Sequence, residues 1–233
     1  MTTSNKTGIR RFAVLLGALA LALAAFTGAA QAVKLKGSIQ LTAGSTTAPY
    51  TGSYVRLYET ASPSTFYTNP SSPAADQTYT PVSNGTEGLL LNSAEGLSNP
   101  AFDGGGNSLT NTLTTPTPFS TINFSVYLNK PKKGIGAKGA VIVVGGGKLA
   151  TVPVTSADLT GWTVAWGGDA KYATPGSTAG LGAGGNLTGQ LVWVNPKDKA
   201  LGGTITLNWT AAITEPPFNA FTAEWQIVGT YKP

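Results

Sequence analysis

The sequence predicts an all-β protein: an antiparallel β-sandwich, with a β-barrel as the alternative, carrying long loops rich in Pro, Ser, Thr and Gly. Three observations predict it. Apolar residues recur with period two in one segment after another, as in strands with one buried face. No sustained helical period of apolar residues follows residue 32. The 30 Gly and 15 Pro among 233 residues suit turns and strand ends, not helix interiors.

Before the first strand stands a different kind of segment. Arg10 and Arg11 precede an apolar run from Phe12 to Phe26, which passes through small residues to Ala30-Gln31-Ala32. Basic, apolar and small-residue parts in that order predict a secretory signal peptide, and the run falls short of the about 20 residues that a membrane helix needs. The expected division is a leader over 1–32, cleaved after Ala32, and a single all-β domain over 33–233 with a loop-rich section over 43–118. The expected location is extracellular or at the cell surface, with no transmembrane segment after cleavage. Both the general and the twin-arginine export routes are open.

Val33, Leu35, Gly37, Ile39 and Leu41 alternate with Lys34, Lys36, Ser38, Gln40 and Thr42, which predicts one half-buried strand. Tyr54 to Tyr58, with Val55 and Leu57 inward, predicts a second. Ile122, Phe124, Val126 and Leu128 alternate with Asn123, Ser125 and Tyr127, a strand expected to keep one wet face. Ala140 to Val144 is a continuous run that suits a strand covered on both sides, and Lys148 to Val154 is expected to pair back on it. All five Trp lie between Trp162 and Trp225, each in a segment of strand period. The last third therefore predicts four antiparallel strands, joined by loops over 167–185, 195–203 and 211–221.

Composition closes many chemical routes. The chain has no His and no Cys, so the usual Ser-His-acid and Cys-His nucleophiles, imidazole or thiolate zinc sites and disulfides are excluded. No cofactor and no metal is expected. Gly134-Ile135-Gly136-Ala137-Lys138-Gly139 has dinucleotide-loop spacing, but a strand follows it where a helix should begin. The Asp103–Asn107 loop offers one carboxylate and one amide, too few for a calcium site. The leader holds three of the 15 cations and no acid, so the remaining 12 cations and 10 acids leave about +2. With only Lys130, Lys132 and Lys133 clustered, nucleic acid is not an expected partner.

The tryptophans carry the site expectation. Their inward alternation predicts core for most of them. Trp166 and Trp193 each stand beside a loop, at Gly167-Gly168-Asp169 and Asn195-Pro196. Together with Tyr172 and Asp169 they are the candidate walls and rim of a ligand site, since aromatic side chains stack on sugar rings and wall small-molecule pockets. At the other end of this region, Pro216-Pro217 fixes a loop from which Phe218 and Phe221 are expected to cap the core.

The segment Gly161-Trp162-Thr163-Val164-Ala165-Trp166 resembles a strand of the streptavidin-type biotin-binding barrels. The chain lacks their N-terminal ligand-binding strand and the spacing of their later tryptophans, so the likeness is read as coincidental. The closing segment, from Asn208-Trp209-Thr210 through Pro217-Phe218-Asn219-Ala220-Phe221 to Trp225 and Gly229-Thr230, resembles the C-termini of uncharacterised secreted all-β proteins of actinobacteria, which implies a location and no activity.

The functional expectation is a secreted, non-enzymatic β protein that acts at the cell surface or in the matrix by contacts with a cell-envelope protein or polysaccharide. The alternative is a small-molecule or sugar-binding sandwich or barrel with a Trp-lined site. The sequence is silent on oligomeric state.

Overall fold

The computed structural model describes residues 33–128, 141–144, 151–159, 161–173, 186–195, 200–213 and 216–233. The leader, the lysine cluster after residue 129 and the glycine-rich motif over 134–139 lie outside the described residues. No helix occurs among those described, and none is long and apolar enough to cross a membrane.

Fifteen strands follow one another: β1 (Val33–Lys34), β2 (Ser38–Leu41), β3 (Tyr54–Glu59), β4 (Ser62–Phe66), β5 (Thr80–Pro81), β6 (Leu89–Leu90), β7 (Thr117–Phe119), β8 (Ile122–Leu128), β9 (Val141–Val144), β10 (Thr151–Asp158), β11 (Trp162–Trp166), β12 (Asp169–Ala173), β13 (Asn186–Asn195), β14 (Ala200–Ala212) and β15 (Phe221–Lys232). All their pairings are antiparallel. Eleven form one sheet in the order β1-β9-β10-β13-β14-β15-β2-β6, with β3 also on β15 and β4 and β5 on β3; β12-β11-β8-β7 form the second. The sheets do not close into a barrel, so the sandwich expectation holds.

The expected first strand is two strands. Gly37 stands between them at φ +93°, where any Cβ would collide with the Lys232 carbonyl oxygen. The chain turns there, so that β1 pairs with β9 while β2 pairs with β15. Only three residues separate β1 and β2, yet they lie near opposite ends of the large sheet's strand order. That sheet is therefore strongly curved, since four Cα steps span at most about 14 Å.

β15 organises the core. Its first half, Phe221 to Gln226, pairs with β3, and its second, Gly229 to Lys232, with β2. The ladder would break between them. Instead the Ser53 hydroxyl, wholly buried, accepts from the Val228 N–H and donates to its carbonyl, both at 3.0 Å. Inward residues of β14 and β15 alternate as the period of two requires, Ile205, Leu207 and Trp209 beside Trp225, Ile227 and Tyr231.

Across from them stand Phe124, Val126 and Leu128 of β8 and Trp162 of β11, all in the same buried cluster. Here the expectation of four neighbouring Trp strands is corrected. β13, β14 and β15 do run side by side, but β11 belongs to the second sheet, paired with β8 in register Trp162 opposite Leu128. Trp162 thus meets Trp209 and Trp225 face to edge across the sandwich, with centroids 5.0 and 5.2 Å away.

The wet face expected for β8 is also corrected. Every residue from Phe124 to Leu128 is buried, because the irregular segment before β7 lies over the polar face. Ser108 and Ser125 share a hydrogen bond of 2.6 Å, and the Val126 N–H donates to Thr114 Oγ1 at 2.8 Å. β10 does pair back on β9, but through Val154 to Asp158: its first residues, Thr151 to Pro153, expected on β9, pair with β13 instead.

Candidate functional site

At the end of the sandwich where β14 meets the start of β15, the layers diverge and leave an apolar pocket. Its floor is Trp225 and Phe124, its flanks Leu57 and Phe119, and its mouth Trp166 and Phe218. The cavity proper is small, about 50 Å³, and widens through its open mouth to about 450 Å³ of space shared with solvent; the whole lining is apolar.

Each wall has a local cause. Trp166 is the last residue of β11, where Gly167 and Gly168 take φ of +65° and +77° and turn the chain back into β12. Its indole N–H donates to the Phe119 carbonyl at 3.2 Å, which fixes the ring against β7. Phe218 stands in the connection from β14 to β15 and meets Trp166 edge to face at 5.4 Å, Phe119 at 5.5 Å and Tyr67 at 5.7 Å. Phe221 joins it at 6.1 Å. These two phenylalanines cap the core as the sequence leads one to expect. Trp166 and Phe218 are only half-buried, so the aromatic mouth faces solvent on one side.

The four sequence-predicted site residues divide. Asp169 and Tyr172 lie on β12, the strand beside Trp166, with Asp169 opposite Trp166 and Tyr172 opposite Val164 in the ladder. Trp193 lies on β13 in the other sheet, opposite Leu201. Along β14, Leu201 is ten positions from Ala211, close to the pocket end, which is about 33 Å of strand. The topology thus gathers three of the four residues' strands at one sheet and sets Trp193 far along the other. Phe119 and Leu57 complete the pocket from segments whose sequence gives no sign of it; Trp166 and the cap at Phe218 were legible.

Measured against known proteins, the chain matches no family model, no curated protein and no solved structure.

The acids near the site do other things. Asp103 Oδ1 accepts from the N–H groups of Gly105 and Asn107, and Oδ2 from the Asn107 side chain, all at 2.9 Å. These bonds, the Asn107 amide first, hold its carboxyl below the usual range. The loop then docks on the β11–β12 turn through the Gly168 N–H to the Gly106 carbonyl, at 3.1 Å. The carboxylate is thus occupied by its own loop, and no group of three or more possible metal ligands occurs among the described residues.

Glu95 is different. It is 3% exposed, its Oε1 accepts from the Leu90 N–H at 2.7 Å, and its Oε2 has no partner. Burial pushes its pKa up to about 8, against the Leu90 bond and with a smaller contribution from Glu87. Its own N–H donates to the Leu128 carbonyl at 2.9 Å, so it links β6 of the large sheet to β8 of the small one.

Proposed function

We propose that the protein is a non-enzymatic binding module, exported to act at the cell surface or in the matrix, and that the Trp166 and Phe218 pocket grips an apolar group of a small ligand. The observation that carries this reading is the lining: aromatic and aliphatic side chains throughout, with no acid, base or nucleophile among them. Such a pocket desolvates an apolar group, at about 25 cal/mol per Å² of apolar surface removed from water. It has nothing with which to move a proton, which general acid–base chemistry requires within hydrogen-bond reach.

Titration of the full chain with the neutral dye N-phenyl-1-naphthylamine tests this. Leu109 is a large apolar side chain strongly exposed among the residues whose burial is described, and it lies outside the pocket lining. The expected result is saturable fluorescence enhancement at one site, weakened at least tenfold by Phe218→Ala. Absence of saturable binding, or equal binding by the variant, contradicts the reading. A second reading, contact with an envelope polymer or protein, draws support from the outward face of β3, where Tyr54, Arg56 and Tyr58 stand half-exposed.

A further inference from the structure

That outward face holds a row of rings organised around one cation. The Arg56 guanidinium lies between two rings, 4.1 Å from the Phe66 centroid and 4.8 Å from that of Tyr79. Tyr79 in turn stacks on Tyr50 at 4.2 Å, with the planes 17° apart. At the other end Tyr58 meets Phe66 edge to face at 6.2 Å. Phe66 comes from the end of β4 and Tyr79 from just before β5, and both strands pair with β3 on its side away from β15. All four rings are half-exposed.

The charge of this row selects among partners. Arg56 is tied to Glu224 by an ion pair of 2.9 Å and also donates to the Tyr79 hydroxyl at 3.0 Å. Its charge is therefore cancelled on the spot. A face that is neutral does not collect phosphates or other polyanions, which need unpaired Lys and Arg. Its shape selects further. The row lies along an extended strand on a sheet face, so it suits a chain laid across it more than a compact molecule.

Arg56 and Tyr50 cover Tyr79 and Arg56 covers a face of Phe66, so what the row offers is the half-exposed rings at its two ends, Tyr50 and Tyr58, with ring edges and planar polar groups between them. Such rings accept the C–H faces of pyranose rings, and tyrosine hydroxyls, a carboxylate and an amide meet sugar hydroxyls. Gln226 adds an amide, held by Tyr54 at 3.4 Å and by the Gly52 carbonyl at 2.9 Å.

We infer that the row Tyr50, Tyr79, Arg56, Phe66 and Tyr58 is a contact platform for a neutral polysaccharide. The inference rests on the reading of the protein as a non-enzymatic binding module, but not on the pocket, which lies on the inner side of β3.

Native affinity electrophoresis of the full chain, in gels cast with a soluble β-glucan, a galactomannan or an arabinogalactan, tests it. At least one of these polymers is expected to retard the protein, and Tyr50→Ala with Tyr58→Ala to raise the half-retarding polymer concentration at least tenfold. Phe218→Ala is expected to leave retardation unchanged. Retardation by none of the three, equal retardation of the double variant, or retardation only by an anionic polymer and lost in salt would overturn the platform. Should the double variant fail to fold, ring-proton shifts of the wild-type chain on adding the retarding polymer decide: shifts at Tyr50 and Tyr58 support the platform, and shifts elsewhere overturn it. Dye binding in the pocket without any retardation removes the platform alone, whereas loss of both removes the binding-module reading.

Discussion

Phe218 meets Trp166 edge to face with ring centroids 5.4 Å apart, although 52 residues separate them and they belong to different layers of the sandwich. This contact forms the mouth of the pocket. Phe218→Ala removes one side of it and leaves the Trp166 bond to Phe119 intact. The expected cost is about 1–2 kcal/mol, since Phe218 is half-buried and aromatic pairs add about 0.5–1.5 kcal/mol beyond area. Urea midpoints of variant and wild type measure it.

Trp166→Phe makes the complementary change. It keeps a ring at the mouth but deletes the donor to the Phe119 carbonyl, a bond of about 1 kcal/mol. Dye affinity is expected to fall less than in Phe218→Ala, and stability to fall by about that amount.

Ser53→Ala tests how β15 passes from one neighbour to the next. Thr42 also donates to the Val228 carbonyl, at 2.7 Å, so that oxygen keeps a partner. The Val228 N–H loses its own. A buried donor left unsatisfied costs about 1–3 kcal/mol, and chemical denaturation should register a loss in that range. In hydrogen exchange, the Val228 amide should lose protection before its neighbours.

Glu95 makes stability depend on pH. Its folded pKa, about 8, lies above the ordinary value of 4.5, so between those values the unfolded chain has released a proton that the folded chain retains. The contribution is fully present below about pH 4.5 and is lost as pH rises through 8, of the order of a few kcal/mol. Glu95→Gln should flatten this slope and stabilise the protein at pH 8.5 relative to wild type. Urea midpoints at pH 5 and pH 8.5 check both expectations; a wild type equally stable at both would refute them.

The indole N–H groups of Trp162, Trp209 and Trp225 are buried without a hydrogen-bond partner, and each ring lies against another of the three. Trp209→Ala should cost about 3–5 kcal/mol. Trp209→Phe keeps most of the apolar contact and removes an unpartnered donor, so its cost is expected to stay under about 2 kcal/mol. Thermal unfolding of the two variants separates the contributions.

Much of the strand content was legible because period two declares which residues face inward. β8, β11, β14 and β15 all follow it. What period two does not declare is which strand lies alongside, and so Trp162 was expected beside Trp209 when it lies across from it. β12 went unforeseen because Asp169-Ala170-Lys171-Tyr172-Ala173 is short, has no β-branched residue and alternates only with small Ala on its apolar side; it forms because Gly167 and Gly168 reverse the chain onto β11. The polar face of β8 was buried by contacts such as Ser108 with Ser125, which join segments with no apolar signature. The pocket was half legible. Trp166 and Phe218 stood out in the sequence, while Leu57 and Phe119 reach it only through the packing of β3 against β7 and β8.

If the protein acts by holding an apolar group between Trp166 and Phe218, a methyl NMR spectrum of the full chain titrated with N-phenyl-1-naphthylamine will register it at the pocket. Saturable shifts at Leu57, Val164 and Ile213, which line the pocket, with Leu89 and Leu113 in the core unmoved, are the predicted result. Unmoved pocket methyls, or shifts confined to other parts of the molecule, would contradict the account.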